Sequence, residues 1–369
     1  MGGARGSLAG LGVTEGFWTG KRVFVTGHTG FKGSWLLLML RALGAEVWGY
    51  SLAPPTDPSL FDLLGLEDCC HHTIGDVRDL PALQAALSAS RAEVVLHLAA
   101  QPLVRASYEQ PVETYAVNVM GTVHVLEACR QVPEVRSIVS VTTDKCYENL
   151  GWVWGYREND RLGGADPYSN SKAAAELIVD AYRQSFFSPA SHAKHGVGLA
   201  SARAGNVIGG GDFALDRLVP DAMRAFMAGE AVPIRNPMAV RPWQHVLEPL
   251  RGYLLLAEKL HGGPRYATGW NFGPPTEESA SVGDVTDILA RFWGEGAAWE
   301  QDPADHPHEA ATLKLDSTKA RLELGWTPRF SLQEALHETQ IWYKGFHRRE
   351  NLRELTEQQI QSYLHQATA

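Results

Sequence analysis

The chain is poor in cysteine, has no excess of basic residues and contains no long apolar run. Its four cysteines, Cys69, Cys70, Cys129 and Cys146, form no Cys-x-x-Cys pair, so the sequence predicts neither a disulfide framework nor a metal site and favours a reducing cytoplasm. The formal net charge of −9 argues against a nucleic-acid partner held by bulk electrostatics. Without an apolar run long enough to span a bilayer, no membrane association is expected.

The length of the chain sets its size class. Its 369 residues, 44% of them hydrophobic, are enough for one large or two modest domains with a full core. Residues 1–20 are small and glycine-rich and lack a basic start and an apolar centre. We expect them to form a flexible leader and not a signal peptide.

Residues 21–35 carry the pattern around which the chain is organised. β-Branched and aromatic residues at 22–26 predict a buried strand, which three evenly spaced glycines and an apolar helical run over 36–43 follow. This is the opening of a dinucleotide-binding fold. In that fold Gly27 would allow a sharp turn, Gly30 would admit a pyrophosphate and Gly33 would let the helix pack on the strand. The helix N-terminus would face the phosphate charge.

Strands and helices alternate in the following segments. Strands are predicted over 46–51, 70–74, 94–98 and 137–142, with helices over 80–89 and 111–129. This alternation predicts an α/β fold, a Rossmann-type doubly wound parallel sheet whose ligands bind at the carboxyl ends of the strands. The neighbouring His71 and His72 would point to opposite faces of their strand, so we assign them no role as a metal pair.

Two strand ends bear on the choice of cofactor. An acid after the second strand often holds the ribose 2′-hydroxyl, but here the strand ends in Ser51 and Leu52. The choice between NAD and NADP therefore stays open at this position. Asp76 follows the third strand, where it either contacts the adenine or caps the next helix.

The fifth strand and the next helix carry the candidate chemistry. The strand ends in Thr-Thr-Asp-Lys at 142–145, and Asp166 and a proline then open a helix in which Tyr168 and Lys172 share a face. An unperturbed phenol has a pKa of about 10. A nearby ammonium and an oxidised nicotinamide would lower the pKa by favouring phenolate. Tyr168 could then take a proton from a sugar hydroxyl whose oxygen Thr143 holds.

These residues resemble the extended short-chain dehydrogenase/reductases, most of all the nucleotide-sugar 4,6-dehydratases and, within those, the branch that acts on CDP-glucose. The resemblance runs from residue 17 to residue 346. The glycine turn and the Tyr/Lys pair are shared by the superfamily, whereas His28, Lys145 and the Arg-Pro-Trp-Gln-His-Val run at 241–246 point to that branch. The stretches that carry it are 17–33, 98–102, 143–147, 168–172, 204–212 and 241–246.

The resemblance implies an NAD-dependent lyase that converts CDP-glucose to CDP-4-keto-6-deoxyglucose and water. Tyr168 would deprotonate the C4 hydroxyl as hydride leaves C4, and Asp144 would protonate the departing C6 hydroxyl before hydride returns to C6. Related dehydratases place a glutamate base where this chain has Lys145. A lysine is a base only if its pKa is lowered, so the alternative is that Lys145 stabilises the enolate while another group takes the C5 proton.

The resemblance also assigns the site residues. The catalytic residues would be Thr143, Asp144, Lys145, Tyr168 and Lys172. Substrate contacts would come from Gln101, Asn206, Arg217, Leu218, Arg241 and His308, although Arg241 could be a surface arginine and His308 part of a solvated loop. Cofactor contacts would come from Gly27, His28, Thr29, Gly30, Phe31, Lys32, Gly33, Ser51, Asp76, Val77, Leu98, Ala99, Ala100, Tyr168 and Lys172.

The implied domain plan has an NAD-binding part over 21–204, a mainly substrate-binding part over 205–350 with chain crossings between the two, and a tail over 351–369. Ser331 and Glu334 form a capping box that opens a final helix. In similar enzymes the helices matching 111–129 and 166–185 form a dimer interface, so a homodimer is expected.

Three alternative functions remain at this stage. A dehydratase for another nucleotide sugar would use the same residues. A nucleotide-sugar 4-epimerase would need the Tyr/Lys pair but no acid at position 144. A non-catalytic NAD(P)-sensing regulator would require neither.

Overall fold

The computed structural model describes residues 16–294, 296–304 and 312–365. Its strands, named in chain order, are β1 Arg22–Thr26, β2 Glu46–Ser51, β3 His71–Ile74, β4 Val94–His97, β5 Ser137–Val141, β6 Gly198–Ala204, β7 Val207–Ile208, β8 Val232–Ile234, β9 Val240–Arg241, β10 Gln244–His245, β11 Gly269–Phe272, β12 Ala280–Ser281 and β13 Trp299–Gln301.

Its helices are α1 Phe31–Ala42, α2 Leu60–Leu63, α3 Leu80–Ser90, α4 Val104–Glu109, α5 Pro111–Tyr115, α6 Gly121–Arg130, α7 Pro167–Ser185, α8 His192–His195, α9 Leu218–Ala228, α10 Leu247–His261, α11 Val282–Trp293, α12 Leu332–His347 and α13 Leu352–His365. A π-helical turn, Ala116–Met120, joins α5 to α6. The long helix predicted over 111–129 is therefore one rod with a π turn inside it.

Seven parallel strands form the central sheet, in the order β11-β6-β5-β4-β1-β2-β3. The predicted doubly wound α/β fold is confirmed. The bounds predicted for β1 and β2 match the structure, whereas α1 begins at Phe31, five residues before its predicted start. The polar residues Lys32 and Ser34 interrupt the apolar pattern of its first turn, which hid that start from the sequence.

The chain crosses between the two parts after residue 205. Strand β11 completes the edge of the central sheet, and α10 packs against β5 and β6. The smaller part is built from short strand pairs, β10 with β7, β12 with β9 and β13 with β8. Both parts therefore contribute walls to the space above the carboxyl ends of the central strands.

Both ends of the described chain are packed into the fold. Trp18, within the expected leader, is 1% exposed, while residues 1–15 lie outside the described residues. The expected tail is instead largely helix α13, whose Ile360 and Tyr363 are buried. Tyr363 donates a hydrogen bond to Glu248 Oε2 (2.8 Å) and accepts one from Arg251 Nε (3.2 Å), which ties α13 to α10. Within the described ranges, no helix is long and apolar enough to cross a membrane.

Candidate active site

A large cleft of about 1480 Å³ lies above the carboxyl ends of the central strands. The glycine turn after β1 and the segment after β5 form one wall, and residues 204–221 and 232–243 form much of the other. Pockets for one small ligand usually measure roughly 300–1,000 Å³. The cleft is therefore large enough for two ligands side by side.

The glycine turn is closed so tightly that two of its positions admit no side chain. Gly27 has a φ of +79°, and a Cβ there would lie 2.7 Å from the Ala99 backbone nitrogen. A Cβ at Gly33 would lie 2.1 Å from the Gly27 carbonyl oxygen. A Cβ at Gly30 would make only an ordinary contact of 3.5 Å, so this glycine is not required by internal packing and leaves the backbone open toward the cleft.

The ends of β2 and β3 border the same cleft. Ser51 Oγ lies 2.9 Å from Thr29 Oγ1, which ties the strand end to the glycine turn. Asp76 lines the cleft and accepts hydrogen bonds from Arg78, while Asp79 caps α3 by accepting from the Ala82 backbone. The capping alternative for Asp76 is therefore wrong. The other predicted cofactor residues that line the cleft are Thr29, Phe31, Lys32, Val77, Leu98, Ala99 and Ala100.

Helix α7 presents Tyr168 and Lys172 to the cleft from one buried face. Asp166 caps this helix by accepting from the Ser169 backbone at 2.8 Å, as predicted. Burial raises the pKa of Tyr168 to about 12, a rise that a hydrogen bond with Thr143 opposes. The charge of Arg217 opposes the rise as well, whereas the lowering expected from Lys172 is not seen. Burial lowers the pKa of Lys172 to about 8.

Asp144 is fully buried at the end of β5, beside Tyr168 and Thr143. Its Oδ1 accepts a hydrogen bond from Thr143 Oγ1 at 2.9 Å, and Oδ2 has no partner among the described residues. Burial raises the pKa of this carboxyl, against the opposing charges of Lys145 and Arg241. A raised pKa favours the protonated form of a carboxyl, which can act as a general acid.

Two lysines face the same part of the cleft. Lys145 follows Asp144 and lines the cleft wall, as predicted. Lys32, in the first turn of α1, also lines it, and burial together with Arg217 and Lys172 lowers the pKa of its ammonium to about 7. The region around Asp144 therefore combines a carboxyl of raised pKa with several basic groups.

The structure contains a buried ion pair behind the cleft that the sequence did not predict. Glu176 Oε2 lies 2.7 Å from Arg203 Nη2, and the same carboxylate accepts hydrogen bonds from Thr142 and Ser201. Arg203 also donates to Tyr147 Oη at 2.7 Å. The pair thereby holds both ends of the 142–147 segment.

The spacing along α7 contained a signal for this pair. Glu176 follows Lys172 by four residues and Tyr168 by eight, so all three belong to one face of the helix. Glu176 lies on the buried part of that face, and a buried carboxylate needs a cation as its partner. Arg203 on β6 is that cation.

The smaller part contributes the predicted substrate residues on the opposite wall. Asn206, Arg217, Leu218 and Arg241 all line the cleft. Arg217 Nη1 forms an ion pair with Asp212 Oδ2 at 2.7 Å. Arg241 lies buried on β9, so the alternative that it is a surface arginine is wrong.

Two predicted ligand residues do not reach the cleft with their side chains. Gln101 is absent from the cleft wall that the described residues form, because its Nε2 donates to Leu103 O (3.1 Å) and Thr114 Oγ1 (2.9 Å). The ring of His28 packs instead against Gly49 and the ring of His72. His308 lies outside the described residues.

The surroundings of His28 correct one further prediction. His71 and His72 do project differently, since His71 stacks on Trp48 while His72 Nδ1 lies 2.6 Å from His28 Nε2. His72 is thus joined to the glycine turn and not left without a role. Burial and His72 lower the pKa of His28 to about 3, so its imidazole is neutral.

Comparisons of the sequence identify relatives with known activities. Residues 24–339 match the sequence family described as GDP-mannose 4,6 dehydratase. The CDP-glucose 4,6-dehydratase of Salmonella typhimurium is 53% identical over 96% of this chain and 99% of its own. A dTDP-glucose 4,6-dehydratase of Xanthomonas campestris is 28% identical over 86% of this chain and 92% of its own.

Solved structures share the architecture. A dTDP-glucose 4,6-dehydratase from Streptomyces venezuelae, crystallised with NAD, superposes with a TM-score of 0.72 and 25% identity, covering 89% of this chain and 98% of that one. A UDP-glucose 4-epimerase from Thermotoga maritima gives a TM-score of 0.74 at 23% identity, covering 88% and 99%. The second likeness establishes the fold alone, because both dehydratases and epimerases are built on it.

Proposed function

The chain belongs to the GDP-mannose 4,6-dehydratase family, and on that premise we propose that it is an NAD-dependent lyase that converts CDP-glucose to CDP-4-keto-6-deoxyglucose and water. The observation that carries the proposal is the buried carboxyl of Asp144, whose pKa is raised beside Thr143 and the Tyr168/Lys172 pair. An elimination of water needs such an acid. The choice of CDP-glucose is supported by the 53% identity to the Salmonella enzyme.

The residues of the cleft fit a dinucleotide. The glycine turn brings bare backbone and the N-terminus of α1 to the cleft, which suits a pyrophosphate, and Asp76 and Ser51 border the space beyond it. Bound there, NAD would supply the hydride acceptor for C4 and the hydride donor for C6.

Tyr168 is the base for the C4 hydroxyl in the first step. Its phenol oxygen takes the proton as the ketone forms, and Thr143 hydrogen-bonds to the phenol and helps to position the same sugar oxygen. Since the pKa of Tyr168 is raised to about 12, chiefly by burial, the working phenolate needs positive charge nearby. Arg217 supplies part of that charge, and we assign the rest to Lys172, one helical turn along α7, and to the oxidised nicotinamide.

Asp144 and Lys145 carry out the elimination. Asp144 donates a proton to the C6 hydroxyl, which leaves as water, and burial favours the protonated carboxyl by raising its pKa. Lys145, the next residue and part of the cleft wall, takes the proton from C5. In the alternative role, Lys145 stabilises the enolate while another group takes the C5 proton.

The arginines of the smaller part bind the nucleotide diphosphate. Arg217 and Arg241 lie across the cleft from the catalytic residues, and a guanidinium matches two phosphate oxygens with its planar fork. Asp212 holds Arg217 in place through their 2.7 Å ion pair. Asn206 and Leu218 complete the wall on this side.

The 4-epimerase alternative accounts for less of the site. An epimerase oxidises and reduces the same carbon and needs no acid at C6, so Asp144 would have no catalytic role in it. A buried carboxyl with a raised pKa is costly to keep for structure alone. A non-catalytic NAD(P) sensor would likewise leave the buried Tyr168/Lys172 pair without a purpose.

We also propose that the protein is a homodimer. Apolar side chains are exposed along α4, α5, the π turn and α7, among them Tyr108, Val112, Tyr115, Met120 and Leu177. Val112 is 82% exposed and Leu177 60%. Exposed apolar residues on neighbouring helices are the kind of surface that a second copy covers. The four free thiols of the described chain support a reducing cytoplasm as its location.

The substrate assignment is tested by incubating the protein with NAD and, separately, CDP-glucose, dTDP-glucose, UDP-glucose and GDP-mannose. Mass spectrometry should find loss of one water from CDP-glucose far faster than from the other three. Faster dehydration of another sugar would move the assignment to that nucleotide. Conversion without change of mass would favour the epimerase.

A further inference from the structure

Three potential metal ligands meet behind the glycine turn, outside the catalytic cleft. His28 Nε2, His72 Nδ1 and Cys70 Sγ all lie within 4.8 Å of one another. His28 is fully buried, while Cys70 and His72 are half-buried at the outer edge of the sheet. The group of ligand atoms is therefore buried at His28 and reachable from solvent at Cys70 and His72.

The surrounding structure is shaped to hold the two imidazoles together. Strand β2 runs beside β3 with Gly49 opposite His72, and a Cβ at Gly49 would lie 2.4 Å from ring atoms of His28. The ring of Phe61 packs against both imidazoles, with centroid distances of 5.5 Å to His28 and 5.1 Å to His72. Only a glycine at position 49 leaves room for this arrangement.

The donor set selects one class of cation. Two imidazole nitrogens and one thiolate suit zinc and similar borderline-soft ions, whereas magnesium and calcium prefer oxygen ligands. The ligands are dispersed at positions 28, 70 and 72, so no short motif marks the site in the sequence.

We propose that His28, Cys70 and His72 bind one divalent cation of the zinc class, with water as the fourth ligand, and that this ion links the glycine turn to β3. The two ring nitrogens now lie 2.6 Å apart. Tetrahedral zinc, with Zn–N bonds of about 2.0–2.1 Å, needs roughly 3.3 Å between them. His72, at the accessible edge, makes that small movement when the ion binds.

The proposal concerns metal binding and is independent of the proposed reaction. The metal-stripped full chain is titrated with Co²⁺ in the presence of a phosphine reductant. One equivalent should bind, giving the visible absorption of tetrahedral cobalt and a sulfur-to-cobalt charge-transfer band in the near ultraviolet. Zn²⁺ should displace it and raise the melting temperature.

Matched variants locate the ligands. Cys70→Ser should abolish the charge-transfer band, and His72→Ala should weaken Co²⁺ binding by more than about tenfold. Cys69→Ser and His71→Ala are the controls and should behave as the unaltered chain, because Cys69 contacts Arg353 and His71 stacks on Trp48. No saturable binding by the unaltered chain, or a band that survives Cys70→Ser, would overturn the proposal.

Discussion

Thr143 donates a hydrogen bond from Oγ1 to Asp144 Oδ1 at 2.9 Å, while Oδ2 of the same carboxyl is buried without a partner in the described part of the chain. One oxygen is thus positioned by the protein, and the other is left for a group that enters the cleft. This is the arrangement expected of an acid that delivers a proton to a substrate.

Replacing Asp144 should lower the activity of the protein but raise its stability. Asp144→Asn should reduce turnover by about 10²–10⁴-fold, because the amide cannot protonate the leaving hydroxyl. Since burial raises the pKa of Asp144 in the folded state, the wild type loses stability as pH rises from about 3.9, the ordinary value, through the raised one. The variant lacks this loss, so its melting temperature at neutral pH should exceed that of the wild type.

Thermal melts at several pH values check the stability effect. Asp79→Asn is the control, since Asp79 caps α3 away from the cleft and asparagine caps a helix about as well. A gain in melting temperature that does not grow as pH rises above the ordinary aspartate range would contradict the explanation.

The phenol of Tyr168 should be indispensable for the first step. Tyr168→Phe removes the oxygen that accepts the C4 proton, so turnover of CDP-glucose should fall by about 10²–10⁴-fold while NAD binding is nearly retained. Lys172→Ala should cost a similar factor and shift the pH–rate profile, because it withdraws the nearby charge. Tyr182→Phe, on the same helix but outside the cleft, should have little effect. Normal turnover by Tyr168→Phe would remove Tyr168 from the mechanism.

The role of Lys145 is decided by where the reaction stops. Lys145→Met should still permit oxidation at C4, because Tyr168 and Lys172 are unchanged. If Lys145 is the C5 base, a single turnover then accumulates NADH and the 4-keto sugar with its C6 hydroxyl, and no solvent deuterium enters at C5. Slow turnover with continued exchange at C5 would assign Lys145 to enolate stabilisation. Lys194→Met, at an exposed position, is the control.

The dimer prediction rests on the exposed apolar residues of α5 and α7. Sedimentation should give a dimer mass for the wild type, and Val112→Glu should shift it toward the monomer by placing a charge on that surface. Leu322 is about as exposed as Val112 but lies outside these helices, so Leu322→Glu should leave the dimer intact. A monomer mass independent of concentration would refute the dimer.

Local patterns account for the parts of the site that the sequence predicted. The glycines of the turn and the Tyr168/Lys172 spacing depend on a few neighbouring residues, and each belongs to a strand–turn–helix unit or a single helix face. The fold followed from the alternation of such units. Asp144 and Lys145 directly follow a recognisable strand, but the roles predicted for them came from the resemblance to known dehydratases.

Most features that the sequence did not predict depend on contacts between distant segments. The contact of His28 with His72 requires the register that sets Gly49 against His72, which no local pattern reveals. The partner of Glu176 is Arg203 on another element. Gln101 uses its amide within its own loop, and α13 has mostly polar residues, so its few buried side chains gave only a weak signal.

The central claim, oxidation at C4 followed by hydride return to C6, is tested most directly with CDP-glucose that carries deuterium at C4. The product should be CDP-4-keto-6-deoxyglucose with that deuterium in its C6 methyl group, as observed by NMR and mass spectrometry. Deuterium retained at C4, or lost from the sugar altogether, would contradict this account.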